Sequence, residues 1–339
     1  MKRHQSHQSN RSPSGWFIAL LAVLAMVPQS AGAVTFQDVP ANNPYYAAIE
    51  SLKNLGVVKG YSDGTFRPEQ AVNRAEALKM VLLAAQQKVN AGLYQTDFSD
   101  VTLSDWFSGY VFVGQNLKIV NGNPDGTFAP ARQVNKAEFM KMSAKAFEVD
   151  LAPYANLSTP VAKDMPSTSE WFVPYFAYGK EKNILVPSIE NTLEPAKLLS
   201  RAECAEILYK MYILKHGGTT QELLSAAEAK LVDSVIKIGN NLLNEAQTSA
   251  HEASFYTASA LQNEPNSSVV QGANFVSLGF EKIYEALAAQ KNNDPATAKS
   301  LVAQAKNYAD QAEAKDSSLK TATAKIRELA EFLEKALNS

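Results

Sequence analysis

The sequence predicts a mainly α protein in which three helix–turn–helix units are followed by an antiparallel helical bundle. Two observations predict this fold class. Residues 36 to about 214 repeat themselves at offsets of 62 and then 65 residues, which is typical of a tandem array. Beyond about residue 216, apolar residues recur at steps of three and four, as they do along one face of a helix. The formal net charge of −2 gives no indication of a nucleic-acid partner.

Residues 1–33 have the pattern of a secretory signal peptide. A basic start precedes the apolar run 16–27, and Ala33 offers a small residue for cleavage. The alternative is a membrane anchor, but twelve apolar residues are too few for a span that needs about 20. We therefore expect a secreted protein with no membrane span after signal cleavage.

The repeat is clearest in a turn whose sequence occurs twice in nearly the same form. Residues 60–68 read GYSDGTFRP, and residues 122–130 read GNPDGTFAP. The third version, PSIENTLEP at 187–195, has lost both glycines of the turn. We divide the exported chain into three copies and a remainder, at 34–94, 95–157, 158–216 and 217–339.

Each copy begins with a predicted helix and a turn. In the first copy, Tyr45 and Ile49 fall on one helical face, and Gly56 follows as a stop signal. The next pair, Asp63 and Gly64, predicts a tight turn, because the aspartate bonds its own backbone and the glycine accepts a positive φ.

A second helix follows the turn. Asn73 is a good N-cap, and Glu76 stands three residues on, where its side chain reaches back to the cap. In the third copy Ser200 and Glu203 form the same capping box, which stabilises a helix by about 1 kcal/mol.

A cation occupies the first turn of all three second helices, as Arg74, Lys136 and Arg201. The helix dipole makes a cation unfavourable there by roughly 0.3 to 1 kcal/mol. This repeated placement favours an anionic ligand. The alternative is that each cation pairs with a neighbouring glutamate, including the capping ones, and so ties the copies together.

These residues resemble the S-layer homology (SLH) domain family, with its G-Y-x-D-G-x-F-x-P turn and T-R-A-E helix start. The resemblance covers residues 36 to about 214 as three tandem copies. It implies a pseudo-threefold bundle to which each copy lends one helix. It also implies grooves between the copies that bind anionic cell-wall polysaccharide, often pyruvylated.

The resemblance implies polysaccharide-binding roles at these positions: Arg74, Lys136, Arg201, Trp106, Trp171, Tyr45, Gly60 and Gly122. Lys136 replaces the family's arginine and lacks its planar fork, so a weaker groove is expected. Tyr45 is the substitute for the helix-one tryptophan in the first copy. For all three aromatic residues, core packing is as good an explanation as ligand contact. The third copy has Pro187 where the others have the turn glycine, which puts its groove in doubt.

Residues 217–339 resemble no family that we recognise. Four apolar stripes, at 224–242, 276–287, 301–312 and 319–336, predict three or four amphipathic helices. Thr220 is the expected first cap, and Asp294 with Pro295 predicts a later helix start. A stalk, a lattice-forming module and a partner-docking surface all remain open for this region.

Catalysis has little support in the sequence. His216 and His251 read as solvated, and Cys204 reads as a buried apolar residue rather than a nucleophile. Asp63 lacks the acidic companions of a calcium loop. We therefore expect neither an enzyme nor a bound metal or cofactor.

The preferred function is non-covalent anchoring of an exported protein to cell-wall polysaccharide, in the cell wall or an S-layer. The helical region is then a structural or assembly module that packs against itself or another envelope protein. The alternative is a carrier whose helical region binds a substrate or has enzymatic activity. A cleft lined by carboxylates inside the bundle favours the carrier, whereas a core packed with alanine favours the structural role.

Overall fold

The computed structural model describes residues 35–90 and 95–338. Within these ranges the chain forms eleven α-helices and no named β-strand, so the prediction of a mainly α fold is confirmed. The predicted signal peptide at 1–33 lies outside the described residues.

The repeat region contains six helices, two in each copy. They are α1 (Tyr46–Asn54), α2 (Arg74–Ala84), α3 (Ser108–Asn116), α4 (Lys136–Ala146), α5 (Val173–Glu181) and α6 (Arg201–His216). The predicted capping boxes at Asn73 and Ser200 are both formed. Because the caps are satisfied in this way, each second helix begins at the same place in its copy.

One aspartate in each copy fastens the turn to the segment before the first helix. The Asp38 carboxylate accepts the amide N–H groups of Phe66 and Arg67, both at 2.7 Å. Asp100 and Asp164 hold the equivalent amide pairs in the second and third copies. The same pair of amide-to-carboxylate hydrogen bonds therefore positions the turn in each of the three copies.

The third turn keeps the backbone of the other two despite its different sequence. Ser188 N donates to Thr192 O at 2.9 Å, as Asn123 N donates to Thr127 O at 2.7 Å. Asn191 has a φ of 57°, where Gly126 has a φ of 80°. Asparagine is among the few residues that enter this left-handed region routinely, so the turn survives the loss of its glycine.

The three copies contact one another in a cycle. The first amide N–H of each second helix donates to a carbonyl of the next copy: Arg74 to Arg132 at 2.8 Å, Lys136 to Lys197 at 2.8 Å and Arg201 to Gln70 at 2.9 Å. These donors have no acceptor within their own helices, so the neighbouring copy satisfies them. The pseudo-threefold symmetry itself stays a prediction.

The region after residue 216 contains five helices. They are α7 (Thr220–Gly239), α8 (Leu243–Asn263), α9 (Ser268–Lys291), α10 (Pro295–Lys315) and α11 (Lys320–Leu337). The prediction of three or four helices is therefore wrong, because α8 was missed. The first cap is Thr219 rather than Thr220, whereas Asp294 caps α10 as predicted. The antiparallel order of these helices stays a prediction.

Small residues let α9, α10 and α11 approach closely. A Cβ at Gly279 would stand 2.7 Å from Ile326 Cδ1 on α11, so no other residue fits there without a shift. Four alanines of α10 are fully buried in the same core: Ala298, Ala305, Ala309 and Ala312. Short side chains therefore make up most of the buried face of α10.

Four buried ionic side chains join α6 to α7 and α8. Lys210 Nζ lies 2.9 Å from Glu252 Oε1, and Lys230 Nζ lies 2.7 Å from Glu252 Oε2. Both ammonium groups also face Glu206, at 3.7 and 3.3 Å, and the Tyr256 hydroxyl donates to that carboxylate. We call Lys210, Lys230, Glu206 and Glu252 the ionic ring. It ties the repeat region to the helices that follow.

Candidate functional site

Two of the three predicted aromatic residues lie at the surface. The side chains of Trp106 and Trp171 are 56% and 49% exposed, so the core-packing explanation is wrong for both. Lys79 Nζ lies 5.3 Å from the ring centroid of Trp106, and Lys141 Nζ lies 5.0 Å from that of Trp171. The same pairing of a partly buried lysine with an exposed indole is thus built twice.

The two arginines are placed differently from the tryptophans. Arg74 and Arg201 are each only 8% exposed. Arg74 donates to Asn121 O at 3.0 Å, and its guanidinium lies 4.9 Å from the ring centroid of Phe128. Both contacts belong to the second copy, so Arg74 also holds the first copy against the second.

Arg201 makes the matching contacts to the first copy. Its Nε donates to Phe66 O at 2.9 Å, and its guanidinium lies 4.6 Å from the Phe66 ring centroid. Lys136 donates to Leu193 O at 2.8 Å and lies 3.6 Å from the Glu194 carboxylate. Carbonyl contacts explain why a cation is tolerated in the first helical turn in every copy.

The capping glutamates are not the partners of these cations. Glu138 pairs with Arg132 at 2.6 Å, and Glu203 pairs with Lys197 at 2.7 Å. The glutamate alternative therefore holds only for Lys136, through Glu194. The role of the cations in tying copies together is nevertheless visible, because all three contact the next copy.

One groove can be traced directly along α6. A cavity of about 450 Å³ is lined by Tyr45 of the first copy, Lys136 of the second, and Glu203 and Glu206 of the third, among others. The predicted aromatic residue and the predicted cation of this groove therefore do come together, although they belong to different copies. We call it the α6 groove.

The repeat predicts two equivalent grooves along the other second helices. The α2 groove is defined by Glu76, Lys79, Trp106 and Arg201, and the α4 groove by Glu138, Lys141, Trp171 and Arg74. Electrostatics agree with this grouping. Partial burial lowers the pKa of Lys79, and the charges of Lys59 and Arg201 lower it further. Burial likewise lowers the pKa of Arg74, which the nearby Glu138 partly offsets.

The charge of the α6 groove differs from that of the other two. Position 206 carries a glutamate where the α2 and α4 grooves carry Lys79 and Lys141. A lysine is supplied instead by α7, since Lys230 Nζ lies 4.4 Å from the ring centroid of Tyr45. Burial raises the pKa of the Tyr45 hydroxyl, although Lys230 opposes the rise.

The two predicted glycines make room for a neighbouring ring. A Cβ on Gly60 would clash with Phe36 Cε1 and lie 2.8 Å from Thr65 O, and Gly122 faces Phe98 in the same way. In the third copy the phenylalanine is replaced by Ala162, which is buried in the equivalent place. Pro187 is therefore accommodated, because no ring needs the space.

The structure also tests the sequence predictions for Cys204 and His251. Cys204 is fully buried as predicted, and burial raises the pKa of its thiol. The prediction that His251 is simply solvated is wrong. Its Nε2 lies 2.9 Å from Asn183 Oδ1, and its Nδ1 lies 3.4 Å from Glu281 Oε1. His251 thus bridges the third copy and α9.

Sequence reasoning missed Lys79 and Lys141 as site residues. A signal was present, because the two lysines are separated by the repeat offset of 62 residues. In the described part of the chain, no group of three or more His, Cys, Asp or Glu side chains is placed to hold a metal ion.

Comparison with known families identifies the repeated unit. The S-layer homology domain model matches residues 35–78 and 97–140. Two segments of the chain are therefore similar to the S-layer homology domain. The matched ranges lie in the first two copies described above and end within α2 and α4, one residue before Lys79 and Lys141.

The proteins similar to this chain include surface-layer proteins and an enzyme. A surface layer protein of Brevibacillus choshinensis is 35% identical over 100 residues, which cover 29% of this chain and 9% of that protein. Exoglucanase XynX of Acetivibrio thermocellus is 29% identical over 180 residues, covering 52% of this chain and 16% of the enzyme. S-layer protein sap of Bacillus anthracis is 26% identical over 228 residues, covering 66% and 26%.

The chain therefore spans at most about a quarter of the length of these relatives. None of the described helices has an apolar stretch long enough to cross a membrane.

Proposed function

We propose that the chain is a cell-surface protein that binds anionic cell-wall polysaccharide through the α2 and α4 grooves. The observation that carries this proposal is the pair of exposed tryptophans, each beneath a lysine of the neighbouring copy at 5.3 and 5.0 Å. An exposed aromatic residue with a cation beside it at the equivalent place in two copies supports a binding surface in both grooves.

The chemistry of each groove fits a sugar acid. An indole face packs against the C–H groups of a sugar ring, and its polar edge remains hydrated. Lys79 and Arg201 in one groove, and Lys141 and Arg74 in the other, outnumber the single glutamate of each groove. Each groove therefore carries a net positive charge, which favours a carboxylate on the polymer.

Two grooves on one chain give an anchor from individually weak contacts. A hydrogen bond to a charged group contributes only about 1.5 to 3 kcal/mol. On a repetitive polymer the second engagement is intramolecular, and the gain in avidity is roughly a hundredfold or more.

We extend the SLH assignment to residues 158–216 as a third copy. The alignment with the exoglucanase runs over 180 residues, which is longer than the stretch from 35 to 140. The third copy also repeats the aspartate-to-turn hydrogen bonds of the first two. Both observations support a common origin for all three copies.

For residues 217–339 we propose a structural or assembly role without catalysis. The core of α9, α10 and α11 is packed with alanine and glycine, as expected for a structural module. The carboxylate-lined cavity lies between the repeat region and α7–α8 rather than among these three helices. The carrier alternative is motivated by the relatives named exoglucanase and amylopullulanase.

Cosedimentation with purified cell-wall sacculi tests the anchoring proposal. The sacculi are used native and stripped of secondary polymer, with the mature protein and the variants Trp106→Ala, Trp171→Ala and the double. We expect each single variant to weaken binding about tenfold or more and the double to abolish pelleting, because the second groove supplies the avidity.

Phe332→Ala is the matched control, since Phe332 is a 66% exposed aromatic residue on α11, outside the grooves. It should pellet like the unmodified protein. Undiminished pelleting of the double tryptophan variant, or equal pelleting with stripped sacculi, would reject the proposal.

A further inference from the structure

We infer that α7 and α8 permanently occupy the α6 groove, so that wall polymer binds this chain at two grooves and not at three. The inference rests on the proposed function, because it concerns the number of polysaccharide sites. The α6 groove differs from the α2 and α4 grooves in the residues around its aromatic ring, although the repeat alone would make the three grooves equivalent.

The aromatic residue of the α6 groove already has a cation over it. In the α2 and α4 grooves the lysine over the tryptophan comes from the second helix of a copy, and the indole stays exposed. In the α6 groove the cation is Lys230 of α7, and Tyr45 is largely covered. A cation lies over the ring in all three grooves, so the difference between them is that α7 and its neighbours leave less of the Tyr45 ring open to a sugar.

The second helix of the third copy is adapted to this occupant. Glu206 stands where the other grooves have a lysine, and it pairs with Lys230 at 3.3 Å. A lysine at position 206 would instead face Lys230 across a buried contact, where like charges repel strongly. The charge reversal is explained by the docked helix, and it removes the cation that a sugar acid would need.

The start of α8 is fastened to the third turn. Asn244 Oδ1 accepts the amide N–H of Ile189 at 3.2 Å, and Asn244 Nδ2 donates to Glu190 at 3.2 Å. The ionic ring fixes α8 a second time, through Glu252. Two separate attachments make release of the helices costly.

The space that remains is unsuited to an anion. The cavity is lined by six glutamates and three lysines, and Lys210 and Lys230 pair with two of those glutamates from outside the lining. Six glutamates against five lysines leave a formal charge of −1. Its walls include Lys237, Asn244, Glu245, Thr248 and Glu252 of α7 and α8. A sugar carboxylate entering there would meet net repulsion, because the charge of Lys136 is already offset by the Glu194 carboxylate at 3.6 Å. Arg74 and Arg201 donate to backbone carbonyl groups of the next copy instead.

Calorimetric titration of the full mature chain tests the inference. The probe is a size-fractionated pool of short fragments of the secondary polymer, released from sacculi. We expect two sites per chain for the unmodified protein and for Lys136→Ala, one site for Trp106→Ala or Trp171→Ala, and none for the double tryptophan variant. Melting temperatures confirm that each variant is folded, and both tryptophans are exposed enough to be replaced safely.

Three sites on the unmodified chain would overturn the inference while leaving the proposed function intact. So would a site that persists in the double tryptophan variant, or the loss of a site in a folded Lys136→Ala variant. If the unmodified chain binds neither the fragments nor the sacculi, the proposed function fails, and the inference falls with it.

Discussion

At the scale of single residues, the glycines of the turn show how one side chain constrains another. Gly60 was predicted to contact the polymer, but its lack of a side chain makes room for the Phe36 ring. Its φ of 61° is also a conformation that suits glycine. The third copy has no such requirement for glycine, because Ala162 replaces the phenylalanine ring and Pro187 fits at the position of the glycine.

We predict that Gly60→Ala is more destabilising than Gly56→Ala. Gly56 has a φ of 74° but no atom within 4 Å of the place where a Cβ would stand, so alanine there costs only the backbone strain of about 1 to 2 kcal/mol. Alanine at position 60 adds a clash, worth roughly 1 to 3 kcal/mol more. Denaturant unfolding of both variants measures the difference, and equal losses would contradict the packing role of Gly60.

Glu228 on α7 makes the stability depend on pH. Burial raises the pKa of its carboxyl from 4.5 to about 7. The folded chain thus holds this proton more tightly than the unfolded chain, and the associated stability is lost as pH rises from about 4.5 towards 7. Glutamine resembles the protonated form at every pH.

We therefore predict that Glu228→Gln raises the melting temperature at pH 8 and leaves it nearly unchanged at pH 4. The exposed Glu331 on α11 provides the control, and Glu331→Gln should show no such difference between the two pH values. A gain for Glu228→Gln that is the same at both pH values would show that burial of the charge is not its cause.

At the scale of the elements, the ionic ring decides how α6, α7 and α8 meet. Burial alone would raise the pKa of Glu252, but Lys210 and Lys230 hold it at about 2. Both lysines are almost completely buried, so neither can turn to water if its partner is removed. The ring is therefore a strict requirement of this packing.

We predict that Glu252→Gln costs about 3 to 5 kcal/mol of unfolding free energy, because it leaves a buried positive charge without compensation. Glu181→Gln removes one partner of the exposed pair with Lys182 and should cost at most about 1 kcal/mol. Chemical denaturation compares the two variants. A loss of the same small size for both would show that the ring contributes little to stability.

Helix α8 marks the limit of periodicity as a predictor of elements. Its buried positions are mostly small or polar, including Ala246, Ser249, Ala250 and Ala253, so no stripe of large apolar residues announces it. The helices with capping boxes and larger core residues, such as α2 and α6, begin where the sequence predicted. Caps are local signals, whereas small-residue packing is recognised only when the partner helix is known.

At the scale of the whole molecule, one repeated unit serves two purposes. Contacts between copies run in a cycle, since each second helix donates its first amide to the next copy. Two of the resulting grooves leave a tryptophan exposed, and the third receives α7 and α8. A single repeat thus provides two surfaces with an exposed tryptophan, where we propose that polysaccharide binds, and one surface against which α7 and α8 pack.

The sequence by itself determined the repeat, its helices and caps, and the aromatic residues and first-turn cations of the candidate grooves, because these depend on spacing along the chain. It also indicated Trp106 and Trp171 as candidate site residues, but it did not show whether their side chains would be buried or exposed. Only the tertiary structure decided that Arg74 and Arg201 are nearly buried. It also decided which lysine lies over each aromatic ring: Lys79 and Lys141 over the tryptophans, and Lys230 over Tyr45. Those outcomes depend on which copy lies beside which helix, and contacts between distant segments leave no periodic trace in one sequence.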